Sequence, residues 1–304
     1  MRWPPFSAPA DEAPRSLTAW LEQPERSNVL ALRTMTWIAL RLGRAPARAL
    51  LYPICAYYVA FSLSARRASV AYLQRALERK PRLRDVFHHY HVFASVLLDR
   101  VFLLTGKRDT FDIRLHDTEV VSSIAKAGCG AVLAGAHYGS FEILRAVGLE
   151  NDVRVKLTMY EANARKLRAL FRALDARLEQ DIIPLGGAAS MLAVRDAVTQ
   201  GYFVGVLADR GLPGAKTTPC AFLGTDARFA LGPWQLARSL SVPVVLMFGV
   251  YRGGARYDVY FERCEPVSDP AAAARAFAAR LEAHCRASPY NWFNFYDFWK
   301  TESA

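Results

Sequence analysis

Short apolar runs alternate with helical runs over the last two thirds of the chain. Runs with the length of buried strands are residues 131–136, 153–160, 182–185, 202–208, 242–250 and 257–262. Segments with helical spacing of apolar positions are residues 141–148, 164–178, 190–199, 231–239 and 271–286. This alternation predicts an α/β fold, with a central, mostly parallel or mixed sheet flanked by helices. In such sheets the ligand site lies beyond the carboxyl ends of the strands.

The first third of the chain has a helical pattern and an apolar centre. Residues 29–64 are its most apolar stretch, and residues 49–65 carry no charge. As a helix this charge-free run measures about 26 Å, slightly less than the ~30 Å hydrocarbon core of a membrane. Arginines fall on one side of the preceding helical stretch, at Arg26, Arg33, Arg41, Arg44 and Arg48. We expect a helix of this kind to associate with an anionic membrane, lying on it or spanning it once. The alternative is a helical pair buried against the rest of the protein.

These patterns divide the chain into four regions. Residues 1–28 are polar, we expect them to be flexible, and they lack the apolar centre of a cleavable secretion signal. Residues 29–64 are the hydrophobic, membrane-associating helical segment. Residues 65–116 are the predicted helical region, with helical runs at residues 68–79 and 85–104. Residues 117–304 form the predicted α/β core.

Composition excludes several classes of protein. Hydrophobic residues make up 52% of the chain and charged residues 22%, so the chain is not largely disordered. No 18-residue apolar run occurs, which excludes a polytopic membrane protein. The five cysteines are widely spaced and contain no CxxC pair. Neither a disulfide framework nor a cysteine zinc site is therefore expected, and a reducing, cytoplasm-facing location fits best.

The chain is strongly basic. Lys and Arg number 39 against 28 Asp and Glu, a formal net charge of +11. Such a balance favours acidic partners, either an anionic lipid surface or an acidic carrier protein. Nucleic acid is not expected, because the chain has no compact basic run and no zinc-finger or RNA-binding signature. The alternative is an Arg-rich composition spread over solvated helix faces.

One segment combines the features of a general base. The strand predicted over residues 131–136 leads to His137, a turn with Gly139 and Ser140 follows, and Glu142 begins the next helix. A carboxylate on one imidazole nitrogen fixes the tautomer, and the other nitrogen can then take a proton. We expect Glu142 to hold His137 in this way. Ser140 Oγ and the backbone N–H groups of the helix start are the expected oxyanion donors.

Further blocks follow this segment in a fixed order. A helix with basic residues contains Arg165 and Arg168, and an apolar strand is closed by Asp209 and Arg210. A Phe-Leu-Gly turn, a Gly-Pro helix start and a Val-Pro strand follow, at residues 222–224, 232–233 and 242–243. With its His-x4-Glu block, the chain resembles the lysophospholipid acyltransferase superfamily. Within it, the resemblance is to the bacterial lipid A late acyltransferases and related glycolipid acyltransferases. The Glu-Gly-Thr-Arg block of the glycerolipid branch is absent, which disfavours a glycerol-phosphate acceptor.

The resemblance implies acyl transfer at the cytoplasmic face of a bacterial inner membrane. His137, oriented by Glu142, would take the proton of a hydroxyl on a membrane lipid or glycolipid. That hydroxyl would attack the thioester of an acyl carrier protein or acyl-CoA, which is a co-substrate, so no cofactor is implied. Arg165, Arg168 and Arg210 would bind phosphate of donor or acceptor, together with Asp209. Surface ion pairs, and a structural role for Asp209, are the alternatives.

Two other functions are compatible with the same fold. One is a non-catalytic lipid-binding or scaffold protein, and the other is a thioester or lipid hydrolase that uses the same dyad on water. The cluster of His88, His89 and His91 is interpreted as a polar helix face, and no metal site is expected. The aromatic residues 290–299 are predicted to floor an acyl-chain groove, to lie at a membrane interface, or to pack in the core.

Overall fold

The computed structural model describes residues 29–143, 148, 153–160, 182–185, 188–211 and 214–299. Its strands are β1 (Asp112–His116), β2 (Ala131–Gly135), β3 (Val155–Tyr160), β4 (Ile182–Leu185), β5 (Phe203–Leu207), β6 (Thr217–Phe222), β7 (Thr225–Ala230), β8 (Val244–Gly253) and β9 (Arg256–Arg263). The described helices are α1 (Val29–Leu42), α2 (Arg44–Phe61), α3 (Leu63–Ala76), α4 (Leu83–Leu104), α5 (Glu119–Lys126), α6 (Ala188–Thr199), α7 (Gly232–Leu240) and α8 (Pro270–Ala287). The predicted N-terminal region 1–28 and the predicted helix 164–178 lie outside the described residues, as does most of the predicted helix 141–148.

Seven strands form one mixed sheet in the order β1-β9-β8-β2-β5-β3-β4. Every neighbouring pair in it is parallel except β8 and β9, which are antiparallel. The predicted α/β fold with a mostly parallel or mixed sheet is therefore confirmed. Strand β5 lies between β2 and β3, so segments that are distant in sequence become neighbours at the centre of the sheet.

Both faces of the sheet are covered. Val132 and Ala134 of β2 belong to one core cluster with Trp234 of α7 and Phe277 of α8. Leu133 points to the other face and joins a second cluster with residues of α1 and α4. A strand buried on both faces explains why β2 is apolar at every position.

The N-terminal helices are anchored to the sheet by a buried ion pair. Arg44 at the start of α2 donates from Nε and Nη2 to the two carboxylate oxygens of Asp99 in α4, both at 2.7 Å. Tyr257 of β9 donates its hydroxyl to the same carboxylate at 2.9 Å. Asp99 has no exposed surface. This fork-to-fork geometry fixes α2 and α4 relative to the sheet edge.

Helix α2 has one buried side and one exposed side without charge. Its buried positions recur every fourth residue, at Ala47, Leu51, Cys55 and Val59. The opposite side exposes Leu50, Tyr57 and Phe61, of which Phe61 is 63% exposed. None of the described helices combines the length and the apolarity that crossing a membrane requires.

Two regions differ from the sequence pattern. Residues 65–116 are not helical to their end, because Asp112–His116 form β1 and pair in parallel with β9. Ile113 and Leu115 alternate there with polar residues, and five residues are too few to outweigh the preceding helical pattern. The hairpin of β6 and β7 lies where the pattern predicts no element. Its two-residue turn, Leu223 and Gly224, has positive φ at both positions, as in type I′ hairpin turns.

Candidate active site

The two central strands bring a histidine and an aspartate together. Strands β2 and β5 pair in parallel with Gly135 opposite Leu207. His137 and Asp209 each follow their strand by two residues, so both emerge at the same height on the carboxyl edge of the sheet. His137 Nδ1 lies 2.9 Å from Asp209 Oδ1. This edge is where α/β sheets carry their ligand sites.

Asp209 is fully buried and completely hydrogen-bonded. Its Oδ2 accepts from the backbone N–H of His137 at 3.2 Å and from Trp292 Nε1 at 3.1 Å. Arg210 Nε lies 3.7 Å from the same oxygen. Burial by itself raises the pKa of Asp209, but the His137 ring, the Arg210 charge and the hydrogen bonds outweigh it, and the pKa is about 2. Asp209 is therefore an ionised acceptor at neutral pH.

His137 has the state that a general base needs. An ionised acceptor on Nδ1 fixes the proton there and leaves the lone pair on Nε2. The His137 side chain is 36% exposed, although its partner Asp209 is fully buried, so one edge of the ring is accessible from solvent. Burial lowers the pKa of His137, the charge of Arg210 lowers it further, and Asp209 opposes both. The ring is therefore neutral near pH 7 and able to accept a proton.

The prediction that the Glu142 carboxylate holds the His137 ring is wrong. Glu142 Oε1 lies 2.6 Å from Arg100 Nη2 of α4, and the carboxylate on Nδ1 of His137 is that of Asp209. The reason is the sheet: strand pairing delivers Asp209 directly to the ring, whereas Glu142 follows the turn and meets α4. Asp209 was expected to bind substrate, but a carboxylate without exposed surface holds the histidine instead.

The backbone N–H groups of the turn after His137 are already hydrogen-bonded to other parts of the protein. The N–H of Gly139 donates to Asn291 O at 2.7 Å and that of Ser140 to Gly249 O at 2.8 Å, so neither is left for an oxyanion. Gly139 has φ +58°, and a Cβ there would lie 1.9 Å from Gly249 O, so only glycine fits. Ser140 has no exposed surface, and its Oγ has no partner within the described part of the chain. The expected substrate contact of Ser140 is not provided by this arrangement.

Two arginines bring positive charge to the ring of His137. Arg210 donates from Nη2 to Phe293 O at 2.7 Å, and its guanidinium lies over the Tyr296 ring, 4.9 Å from the centroid. Arg100, held by Glu142, also lowers the pKa of His137. Arg210 was predicted from the sequence, whereas Arg100 was missed, because nothing in its helical context distinguishes it from a surface arginine. Arg165 and Arg168 lie outside the described residues.

The C-terminal aromatic run closes one side of the site. Phe293 N–H donates to His137 O at 2.7 Å, and Tyr138 pairs with Trp292 in a short antiparallel bridge. Trp292 has no exposed surface, and Phe293 is 9% exposed. Of the three roles predicted for residues 290–299, packing in the core is the one that Trp292 and Phe293 have. The sequence gives no signal that the Trp292 indole contacts Asp209.

Comparison with known proteins identifies the family of this site. The family model described as bacterial lipid A biosynthesis acyltransferase matches residues 88–301, which include most of α4 together with His137, Asp209 and Trp292. A comparison with curated proteins gives no match. The matched range covers more than two thirds of the chain, so the protein belongs to the bacterial lipid A biosynthesis acyltransferase family.

Proposed function

We propose that this protein transfers a fatty acyl chain from a thioester donor to a hydroxyl of a membrane lipid or glycolipid, as an O-acyltransferase. The family makes acyl transfer to a lipid the expected chemistry. The observation that carries the proposal is the His137–Asp209 pair at the carboxyl edge of β2 and β5. An ionised, buried carboxylate on Nδ1 makes Nε2 the basic nitrogen, on a ring that is still partly open to solvent.

The proposed reaction proceeds without a covalent enzyme intermediate. Nε2 of His137 takes the proton of the acceptor hydroxyl while its oxygen attacks the thioester carbonyl carbon. The C–S bond then breaks, and the leaving thiolate receives the proton from the imidazolium. Asp209 stays ionised and stabilises the imidazolium between these steps, because its pKa of about 2 is far below that of the ring. The products are an ester and a free thiol.

The positive charges beside His137 fit the demands of this reaction. The attack places negative charge on the carbonyl oxygen, and preorganised cationic donors near that oxygen typically contribute about 10²- to 10³-fold in rate. Arg100 and Arg210 are the described residues whose charges act on His137 from α4 and from the end of β5. Glu142 then has the role of holding Arg100. Arg165 and Arg168 remain proposed ligands for a phosphate of donor or acceptor.

The charge of the chain favours an acyl carrier protein as donor over acyl-CoA. A net charge of +11 attracts an acidic carrier protein electrostatically, and the same charge favours an anionic lipid surface. No cofactor is included in the proposal, because the thioester is a co-substrate.

The exposed side of α2 supports a membrane-bound location. Between Ala49 and Phe61 this side carries Tyr, Leu, Ala, Pro and Phe and no charged residue. A contiguous apolar helix face that includes Tyr57, with Arg41 and Arg67 beyond its two ends, suits the interface of an anionic bilayer. We propose that α2 lies on the cytoplasmic face of the bacterial inner membrane.

Lipid mass spectrometry of cells tests the proposed function. Deletion cells would carry the wild type, His137→Ala or His116→Ala at matched protein level. His116 is a half-buried histidine of the edge strand β1, and its side chain is 40% exposed, similar to that of His137, so His116→Ala is the control. A lipid heavier by one acyl chain with wild type and His116→Ala, but not with His137→Ala, supports acyl transfer and identifies the acceptor. Identical lipid profiles overturn it. With the purified protein, release of free fatty acid from acyl carrier protein without an acceptor would indicate the hydrolase instead.

A further inference from the structure

Trp292 links the His137–Asp209 pair to helix α4 through two separate hydrogen bonds. Its indole Nε1 donates to Asp209 Oδ2 at 3.1 Å, and its carbonyl oxygen accepts from His89 Nε2 of α4 at 2.9 Å. The other nitrogen of His89, Nδ1, lies 2.8 Å from Ser69 Oγ of α3. A continuous chain of hydrogen bonds therefore runs from α3 through α4 and the C-terminal segment to His137.

The chemistry of these groups fixes the direction of each bond. A carbonyl oxygen can only accept, so His89 Nε2 carries the proton, and Ser69 Oγ donates to Nδ1. Burial lowers the pKa of His89 to about 4, and the bond to Trp292 opposes this only in part. His89 is therefore a neutral donor at physiological pH. Its ring is packed against Phe295 and Tyr72, with centroid distances of 4.7 and 5.4 Å.

The indole bond orients the carboxylate of Asp209. Trp292 and the backbone N–H of His137 both donate to Oδ2, which leaves Oδ1 for His137 Nδ1. The same segment also holds the loop itself, since Phe293 N–H donates to His137 O. Losing the indole N–H would free the carboxylate to rotate and would concentrate its negative charge toward the ring.

A second buried tryptophan shows that this bond is not a general property of the core. Trp234 of α7 also has no exposed surface and belongs to the same core cluster as Trp292. Its Nε1 has no hydrogen-bond partner within the described residues. Packing alone therefore does not require an indole N–H to be bonded here, and the contact with Asp209 needs its own explanation.

We propose that Trp292 is a positioning residue for the His137–Asp209 pair, and that His89, supported by Ser69, holds Trp292 in place. This proposal rests on the proposed function only in so far as His137 is the base. Of the clustered His88, His89 and His91, it is the fully buried His89 that has a structural link to the site.

The first test compares Trp292→Phe with the matched control Trp234→Phe in the full chain. The pKa of His137 is measured from the pH dependence of its modification by diethyl pyrocarbonate, followed on the His137 peptide by mass spectrometry. We expect Trp292→Phe to raise that pKa by about half a unit, because the carboxylate loses a donor, and Trp234→Phe to leave it unchanged. We also expect kcat/KM to fall about tenfold in Trp292→Phe alone, through loss of orientation. An equal His137 pKa in both variants overturns the proposal.

The second test separates positioning from folding. His89→Gln keeps an N–H donor and is expected to retain the wild-type pKa of His137, whereas His89→Phe keeps the ring stacking and is expected to raise it. The same pKa in both His89 variants contradicts the role of His89.

A second variant at position 292 covers the case in which Trp292→Phe does not fold. 3-Benzothienylalanine keeps the bicyclic shape and removes only the N–H, and the same rise in the pKa of His137 is expected. The pKa readout needs no acyl transfer, so failure of the proposed function is seen separately, as absence of acylated lipid.

Discussion

His137 Nδ1 and Asp209 Oδ1 lie 2.9 Å apart because their strands, β2 and β5, end side by side. Asparagine at position 209 would keep the volume and remove the charge, and its amide could donate where the carboxylate only accepts. We expect Asp209→Asn to lower kcat by about 10³- to 10⁴-fold, as loss of the tautomer-fixing carboxylate does in serine hydrolase triads. Steady-state acyl transfer measures this. A loss below tenfold would contradict the assignment.

The pH dependence of the reaction reports on the charges beside the ring. The proposed reaction needs neutral His137, so we expect kcat/KM to fall as the pH drops through the pKa of His137. Because burial and Arg210 lower this pKa, we expect the acid limb of the profile below the ordinary histidine value of about 6.5.

Replacing Arg210 tests whether its charge sets the pH at which the acid limb lies. In Arg210→Met one of the two opposing positive charges is lost, so the acid limb is expected to move to higher pH. The control Arg228→Met removes an exposed arginine of β7 and should leave the limb where it is. A limb that does not move in Arg210→Met would mean that burial alone sets the pKa.

The ion pair of Glu142 with Arg100 predicts an indirect role for Glu142. We expect Glu142→Gln to lower kcat about tenfold, much less than Asp209→Asn, because it loosens Arg100 rather than the base. A double-mutant cycle with Arg100→Met should be strongly non-additive, since both changes remove the same interaction. A loss in Glu142→Gln as large as in Asp209→Asn would show that Glu142 acts directly on the reacting groups.

The buried pair of Arg44 and Asp99 predicts a large effect on stability. Asp99→Ala leaves the Arg44 guanidinium without its partner in a largely buried place, which typically costs about 3–5 kcal/mol. Asp112→Ala breaks an ion pair with Arg114 in which both side chains are more than half exposed, and should cost at most ~1 kcal/mol. Urea unfolding of both variants measures the difference. Equal values would contradict the structural role of the buried pair.

The exposed side of α2 predicts which residues carry membrane binding. Leu50→Asp and Tyr57→Asp place charge in its centre and should weaken sedimentation with anionic phosphatidylglycerol vesicles. Leu192→Asp is the matched control, since Leu192 is an equally apolar residue of α6 that is 51% exposed. Vesicle binding that is equal in all three variants would show that α2 is not the contact.

The sequence pattern predicted the strand before His137, the strand before Asp209 and the α/β class, because buried strands are apolar throughout. It did not predict that Asp209 is the partner of His137. That contact depends on strand order, since β5 lies next to β2 although β3 and β4 come between them along the chain. Glu142 is closer in sequence, and sequence distance was a poor guide to the partner of the ring. A better signal was that His137 and Asp209 each follow an apolar run directly.

Edge elements were less predictable than the centre. Strand β1 has only two apolar residues, Ile113 and Leu115, and it is a strand because β9 offers it hydrogen bonds. The charge-free run 49–65 was predicted as a helix, and its larger part is α2. Which side of α2 is buried could not be predicted, because apolar residues surround the helix and only the packing on α4 distinguishes Leu51 and Cys55 from Leu50 and Tyr57.

The bonds from residues 291–293 to the loop at residues 137–139 also have a consequence during protein synthesis. Helix α2 leaves the ribosome about 230 residues before this segment does, which at about 5–20 residues per second is roughly ten to fifty seconds. Throughout that interval the nascent chain exposes the apolar side of α2, whereas His137 lacks the backbone partner on which its geometry depends. The proposed attachment of α2 to a membrane can thus precede assembly of the proposed catalytic site, which a partly made chain does not contain in full.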